Sequence, residues 1–206
     1  ERVTKGFLNL EKHIENCKHF GITPVVAINH FPSDSAEEIE FVQQQCSTHG
    51  VKAKVAKGFE LGGQGTTELA QAVCDSIESG ANQFKPLYDW SLSIEDKIIK
   101  IATTIYGAAA VEFSSKAHTQ LKTIKTLGYD KMPVCMAKTE KSLSDNMELK
   151  GRPENFTVHV REFEFAAGAG FIIPILEEIM RMPGLPAVPA SEHMDIDNNG
   201  KISGLS

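Results

Sequence analysis

The sequence predicts an α/β fold: the C-terminal part of a doubly wound parallel-sheet domain, followed by a smaller α+β domain. Three observations predict it. Over residues 1–80, apolar residues recur at helical spacing, then in a short run, then at helical spacing again, giving the order helix, strand, helix, strand, helix. Residues 81–90 are rich in breakers and aromatics and read as a linker. Over 91–206, helices are grouped ahead of most strands.

Each element has a local reason. Val3, Phe7, Leu10, Ile14 and Cys17 alternate in steps of four and three, which is one face of a helix, and Gly21 ends it. Thr23 to Asn29 is a nearly continuous apolar run, the pattern of a strand buried on both faces in a parallel sheet, and Pro32 stops it. Ser35 with Glu38 can close a capping box ahead of Ile39, Val42 and Cys46, with Gly50 as the stop. Val51 to Val55 alternates apolar residues with Lys52 and Lys54, a short strand. Gly62-Gly63-Gln64-Gly65 leads into a helix carrying Leu69, Val73 and Ile77.

In the second half, Ser93 with Asp96 caps a helix with Ile94, Ile98, Ile101 and Ile105 on one face, ending at Gly107. Ser114 or Ser115 opens another that runs through Leu121 and Ile124 to Gly128. Strands are expected at Pro133–Ala137 and Phe156–Phe165. An apolar segment follows over Phe171–Met182, then a sharp turn at Met182-Pro183-Gly184-Leu185-Pro186 and an irregular tail. Two strands do not complete a wound sheet. With no initial methionine, the chain is expected to be an excised piece whose remaining strands lie upstream.

Composition removes several classes of function. The 206 residues carry 21 basic and 27 acidic side chains, a formal charge of −6, and the aromatics are scattered singly. There is no basic stripe for a phosphate backbone, so no nucleic-acid partner is expected. No run approaches the roughly 20 apolar residues of a membrane span, and the start has no apolar signal segment, so no membrane association and a cytoplasmic location are expected. Cys17, Cys46, Cys74 and Cys135 form no CxxC or zinc-ligand spacing and read as reduced thiols.

The chemistry-bearing candidates cluster at strand ends. Asn29-His30-Phe31-Pro32 stands at the carboxyl end of the first strand, where ligands of open α/β sheets bind. Phe59 follows the second strand, so two rings can face each other across a slot sized for a flat heterocycle; packing of Phe31 under the next helix is the competing reading. Lys54 and Lys57 can attract an anionic tail, although solvated lysines are the default. The glycine cluster lacks GxxxxGK(S/T) and reads as a connector rather than a phosphate cradle. Asp195, Asp197, Asn199, Gly200 and Ile202 match an EF-hand loop, but Ser206 stands where calcium needs a bidentate glutamate, so a hairpin turn is expected. Ser144-Asp145-Asn146 and Lys138-Thr139-Glu140 occur without an SxxK nucleophile, and the seven histidines are dispersed.

Longer stretches carry more specific information. Gly6-Phe7-Leu8-Asn9-Leu10-Glu11-Lys12-His13-Ile14-Glu15-Asn16, Val26-Ala27-Ile28-Asn29-His30-Phe31-Pro32, Tyr106-Gly107-Ala108, Cys135-Met136-Ala137-Lys138-Thr139, Gly168-Ala169-Gly170-Phe171 and Met182-Pro183-Gly184-Leu185-Pro186 together resemble the formate–tetrahydrofolate ligase (formyltetrahydrofolate synthetase) family. The resemblance covers the whole chain as the C-terminal portion of a longer enzyme. It implies a P-loop-type first domain and ATP-dependent formation of 10-formyltetrahydrofolate from formate and tetrahydrofolate via formyl phosphate. ATP and Mg2+ would be bound mainly by an N-terminal portion absent here, in a homotetramer. This portion alone would be inactive, with no catalytic and no metal-binding residue of its own. It implies that Phe31 and Phe59 grip the folate ring with Val55 beside them, and that Asn29, His30 and Lys57 lie near the ligand. Several positions depart from the family. Phe59 stands where tryptophan is usual, His30 where arginine is frequent, Leu61 and Gln64 where lysine and glutamate are common, and Ser206 at the customary final phenylalanine. Those departures keep a second reading open, a non-catalytic folate-binding or oligomerisation module.

Overall fold

A computed structural model describes residues 2–139, 142–177 and 188–204. The order over the first eighty residues is the expected one. Helix α1 (Arg2–His19) leads to strand β1 (Val25–Asn29), α2 (Ala36–Thr48), β2 (Lys52–Ala56), the short α3 (Gly58–Leu61), a 3-10 turn at Gly62–Thr66 and α4 (Thr67–Glu78). β1 and β2 pair in parallel, with Val25 opposite Lys52 and Asn29 opposite Ala56. Ser35 caps α2 as expected, its hydroxyl accepting from the Glu38 amide at 3.3 Å.

A core of Phe7, Ile14, Cys46 and Val51 joins α1 to α2 and the start of β2. α2 and α4 pack against the strand pair. No residue of either strand is fully buried, contrary to the burial on both faces that the apolar run suggests. A parallel strand is covered on both faces only inside a sheet with helices on each side, and among the described residues this sheet has two strands.

The second half centres on a mixed three-stranded sheet. α5 (Ile94–Ile101) continues as a wider π-turn over Ala102–Tyr106 and stops at Gly107, whose φ of 83° is left-handed. β3 (Ala110–Phe113), α6 (Ser115–Thr126), β4 (Thr157–Ala166) and β5 (Phe171–Leu176) follow. β3 runs parallel to β4, and β5 antiparallel to it. Both helix caps are as the sequence predicts, with Ser93 accepting from the Asp96 amide and Ser114 from the Ala117 amide. Val158, Val160 and Phe163 are buried on β4, and a register shift between Val160 and Glu162 carries the inward face across from even to odd positions. They join Ile98, Ile124 and Leu176 in a larger core.

One expected strand is not continuous. Pro133–Ala137 lies parallel beside β5, with single bridges at Val134–Ile172 and Ala137–Ile175. The Ile172 amide donates to Pro133 O, Cys135 N to Ile172 O and Ala137 N to Pro174 O. Between the last two of these, a rung to Cys135 O would need an N–H at residue 174, and beyond it the ladder resumes with Leu176 N to Ala137 O. Proline has none, so that one rung is missing.

The Asp195–Ser203 segment is a hairpin, β6 (Asp195–Ile196) pairing antiparallel with β7 (Ile202–Ser203). The Asp197 carboxylate accepts from the Asn199 and Lys201 amides, so it organises the turn. Among the described residues no three His, Cys, Asp or Glu side chains are grouped to hold a metal ion. None of the described helices is long and apolar enough to cross a membrane, and all four cysteines are free thiols. Met182-Pro183-Gly184-Leu185-Pro186, Glu140 and Ser206 lie outside the described residues.

The two halves meet through polar contacts that periodicity did not reveal. Lys12 and Asn16 lie on a second buried stripe of α1, the Lys12 ammonium donating to Thr104 O and the Asn16 amide to Ile105 O, each at 3.0 Å. The Arg152 guanidinium holds Glu15 with two nitrogens and Glu11 with one, at 2.9–3.0 Å. The carbonyls at 104 and 105 are available because they lie in the last turn of a helix that stops at Gly107.

Candidate functional site

The carboxyl ends of β1 and β2 are neighbours by register, and the backbone continues that adjacency past the strands. The His30 amide donates to Ala56 O at 3.1 Å, one residue beyond the last pair. The next turn is fixed by Asp34, whose carboxylate accepts from the Phe31 amide at 2.8 Å while its own amide donates to Phe31 O at 2.9 Å. The reciprocal Asp34 bonds are what a tertiary view adds.

On the other tip, β2 enters a closed loop. Lys57 N donates to Gly65 O and Leu61 N to Lys57 O, each at 2.9 Å, wrapping α3 and the glycines into one compact turn. Gly65 is required by close approach, because a Cβ there would lie 2.4 Å from Lys57 O. The Thr66 and Thr67 hydroxyls donate to Gly63 O, and Thr67 also to Gln64 O. With Gly58 and Gly63 at the glycine positions of a GxxxxGK(S/T) loop, Gln64 stands where the lysine would be.

The six candidate residues sit as follows. Phe31 is 52% exposed and Phe59 90% exposed, and neither ring stacks on another aromatic among the described residues. Val55 is half-buried on β2 opposite Ile28, Asn29 is exposed at the tip of β1, and Lys57 is half-buried at the loop entrance. His30 is mostly covered, and its Nδ1 lies 3.7 Å from Glu60 Oε1, which ties the β1 tip to α3. That nitrogen has no hydrogen bond, so the contact is an ion pair only when the ring is protonated. Lys54, which could attract an anionic tail but reads by default as a surface lysine, pairs with Glu68 at 3.1 Å. Among the described residues Lys57 has no carboxylate partner, which leaves it as the nearer cation.

What the two tips present to solvent is chiefly aromatic surface. Two phenyl groups held in water cost roughly 25 cal/mol for each Å2 of apolar surface they expose. A flat heterocycle covering both would recover part of that and add stacking of about 0.5–1.5 kcal/mol per ring pair.

A second constellation escaped sequence reasoning. The Asp145 carboxylate, almost fully buried, accepts from the His159 amide at 2.7 Å and lies 3.2 Å from its ring Nδ1. It borders a cavity of about 610 Å3, with Glu177 3.7 Å from the same nitrogen. Fourteen residues separate Asp145 from His159, with no periodicity to link them, so no local signal could have found the pair. The SxxK-less Ser144-Asp145-Asn146 is thereby structural: the Ser142 and Ser144 hydroxyls bond each other at 2.9 Å, and Ser144 donates to Asn146 O.

Compared with known protein families, the chain matches the model described as formate–tetrahydrofolate ligase over residues 1–206.

Proposed function

Because the chain belongs to the formate–tetrahydrofolate ligase family, whose members join formate to tetrahydrofolate in an ATP-dependent reaction of one-carbon metabolism, we propose that it supplies the folate-binding wall of such a ligase. The observation that carries this reading is the pair of exposed phenyl groups, Phe31 and Phe59, on adjacent strand tips of a chain matched from end to end. The pterin ring lies between them with Val55 at its edge, and Lys57 faces the anionic part of the substrate. Asn29 and His30 set the β1 tip, His30 through Glu60 of α3.

In this reading residues 1–80 belong to the wound sheet, whose half-exposed strands are flanked by further strands, and 81–90 connect them to a second unit at 91–206. The chain contains no GxxxxGK(S/T) sequence, so the phosphates of ATP and their magnesium are held by other residues of a homotetrameric cytoplasmic enzyme. The mixed anhydride between formate and phosphate must be shielded from water while the folate amine attacks it. A ring clamped on both faces delivers that amine in a fixed orientation.

The test is Phe31→Ala in the complete enzyme. We expect the KM for tetrahydrofolate to rise about fivefold or more, as loss of one stacking face of roughly 1 kcal/mol implies, with the KM for ATP unchanged. Equal effects on both substrates would assign Phe31 to folding and sink the folate wall.

A further inference from the structure

A second aromatic site lies away from the strand tips and shares no residue with them. Residues 81–90 do not hang free: Gln83 N donates to Gly21 O at 2.9 Å and Lys85 N to Phe20 O at 3.0 Å, tying the segment to the end of α1. The approach is so close that a Cβ on Gly21 would lie 2.0 Å from Gln83 O. Further along, the Tyr88 hydroxyl accepts from the Val134 amide at 3.3 Å. The strap is therefore pinned at both ends, and beneath it is a cavity of about 370 Å3, within the size range of small-molecule sites.

Its walls are aromatic in an ordered way. The Phe20 and Phe84 rings are parallel to within 3°, centroids 6.1 Å apart, and Tyr88 and Trp90 meet edge to face at 76° and 6.0 Å. Phe84 and Trp90 remain 68% and 57% exposed, so the rings line an opening. Among the described residues no carboxylate lines the cavity, and the Lys97 ammonium sits 5.8 Å from the Tyr88 ring centroid. A cation in the cavity would thus have no counter-charge and would compete with Lys97 for Tyr88.

One polar group waits there. Tyr106 is 7% exposed and lines the cavity, yet its hydroxyl has no hydrogen-bond partner among the described residues. Burial, followed by the Cys135 thiol, pushes that hydroxyl far above its ordinary pKa. The oxygen itself is not sealed from solvent, so it is open to a ligand and free to donate to an acceptor.

We propose that this cavity binds a neutral, planar heteroaromatic molecule of one or two rings that stacks among the aromatic walls and accepts a hydrogen bond from Tyr106.

Trp90 is the only tryptophan of the chain, which gives a direct probe. The protein is labelled with 5-fluorotryptophan, its 19F resonance is assigned by loss in Trp90→Phe, and quinoline is titrated to about 2 mM, several times the Kd on the order of 0.1–1 mM that a ligand of this size reaches. We expect a saturable shift of the Trp90 resonance. Phe84→Ala, which truncates a mostly exposed ring, should weaken binding at least fivefold. Tyr106→Phe should weaken quinoline about tenfold and leave naphthalene, which has no acceptor, unchanged. Absence of a saturable shift, or equal effects of Tyr106→Phe on quinoline and naphthalene, would overturn the proposal.

Discussion

Lys97 is fully buried, and its ammonium donates to Lys131 O at 2.8 Å and to Met132 O at 3.1 Å with no carboxylate in an ion pair. Replacing it by methionine keeps the aliphatic length and removes the charge. Two buried carbonyls then lose their donor, at about 1–3 kcal/mol each, while the desolvation cost of the ammonium disappears. The net expectation is a loss of about 2–4 kcal/mol, a fall in Tm of roughly 5–15 °C for a chain of this length. Guanidinium and thermal unfolding followed by circular dichroism would measure it.

The same side chain predicts a pH effect. Burial, with Lys131 second, lowers the Lys97 pKa below 10.5. Between that lowered value and 10.5 the unfolded chain holds a proton that the folded chain has released, so unfolding free energy rises with pH across the window. The stability gap between wild type and Lys97→Met should widen toward pH 10. A variant as stable as wild type, with a parallel pH profile, would show that the two carbonyls are satisfied without the ammonium and that the reasoning is wrong.

Phe59→Trp should keep or tighten tetrahydrofolate binding in the complete enzyme, by at most about 1 kcal/mol in calorimetric titration, because the position is 90% exposed and can take the larger ring. Loss of binding would mean that the pocket is shaped around phenylalanine. Gly65→Ala drives a methyl against Lys57 O and must break the Lys57–Gly65 bond; a raised KM for tetrahydrofolate with unchanged KM for ATP is expected. Gly63→Ala, with open space around it, is the control that should do nothing. His13 has its pKa lowered by burial and then by Lys138, so just below 6.5 the unfolded chain binds the extra proton and stability falls as pH drops. His13→Gln should flatten the Tm profile between pH 7.5 and 5, and superimposable profiles would contradict it.

Local chemistry was readable where one segment supplies both partners. Ser35, Ser93 and Ser114 cap their helices because the acceptor and the amide lie three residues apart, and Gly21, Gly50, Gly107 and Gly128 take positive φ where the helices stop. The Asn198-Asn199-Gly200 hairpin was legible for the same reason. The strand at Pro133–Ala137 was overestimated because its defect lies in its neighbour, at Pro174. His159 with Asp145, and Arg152 with Glu11 and Glu15, join residues with nothing in the sequence to pair them.

By itself, the sequence determined the order of elements, the parallel strand pair with Phe31 and Phe59 beyond its tips, and the family, since period, caps and motifs are properties of contiguous residues. Only the tertiary structure decided that Asp34 and Gly65 fix the two tips, that His30 meets Glu60, and that a pinned aromatic strap covers a cavity lined by Tyr106. Those depend on which distant backbone atoms come within about 3 Å of one another, a distance set by packing the two cores and by no local pattern.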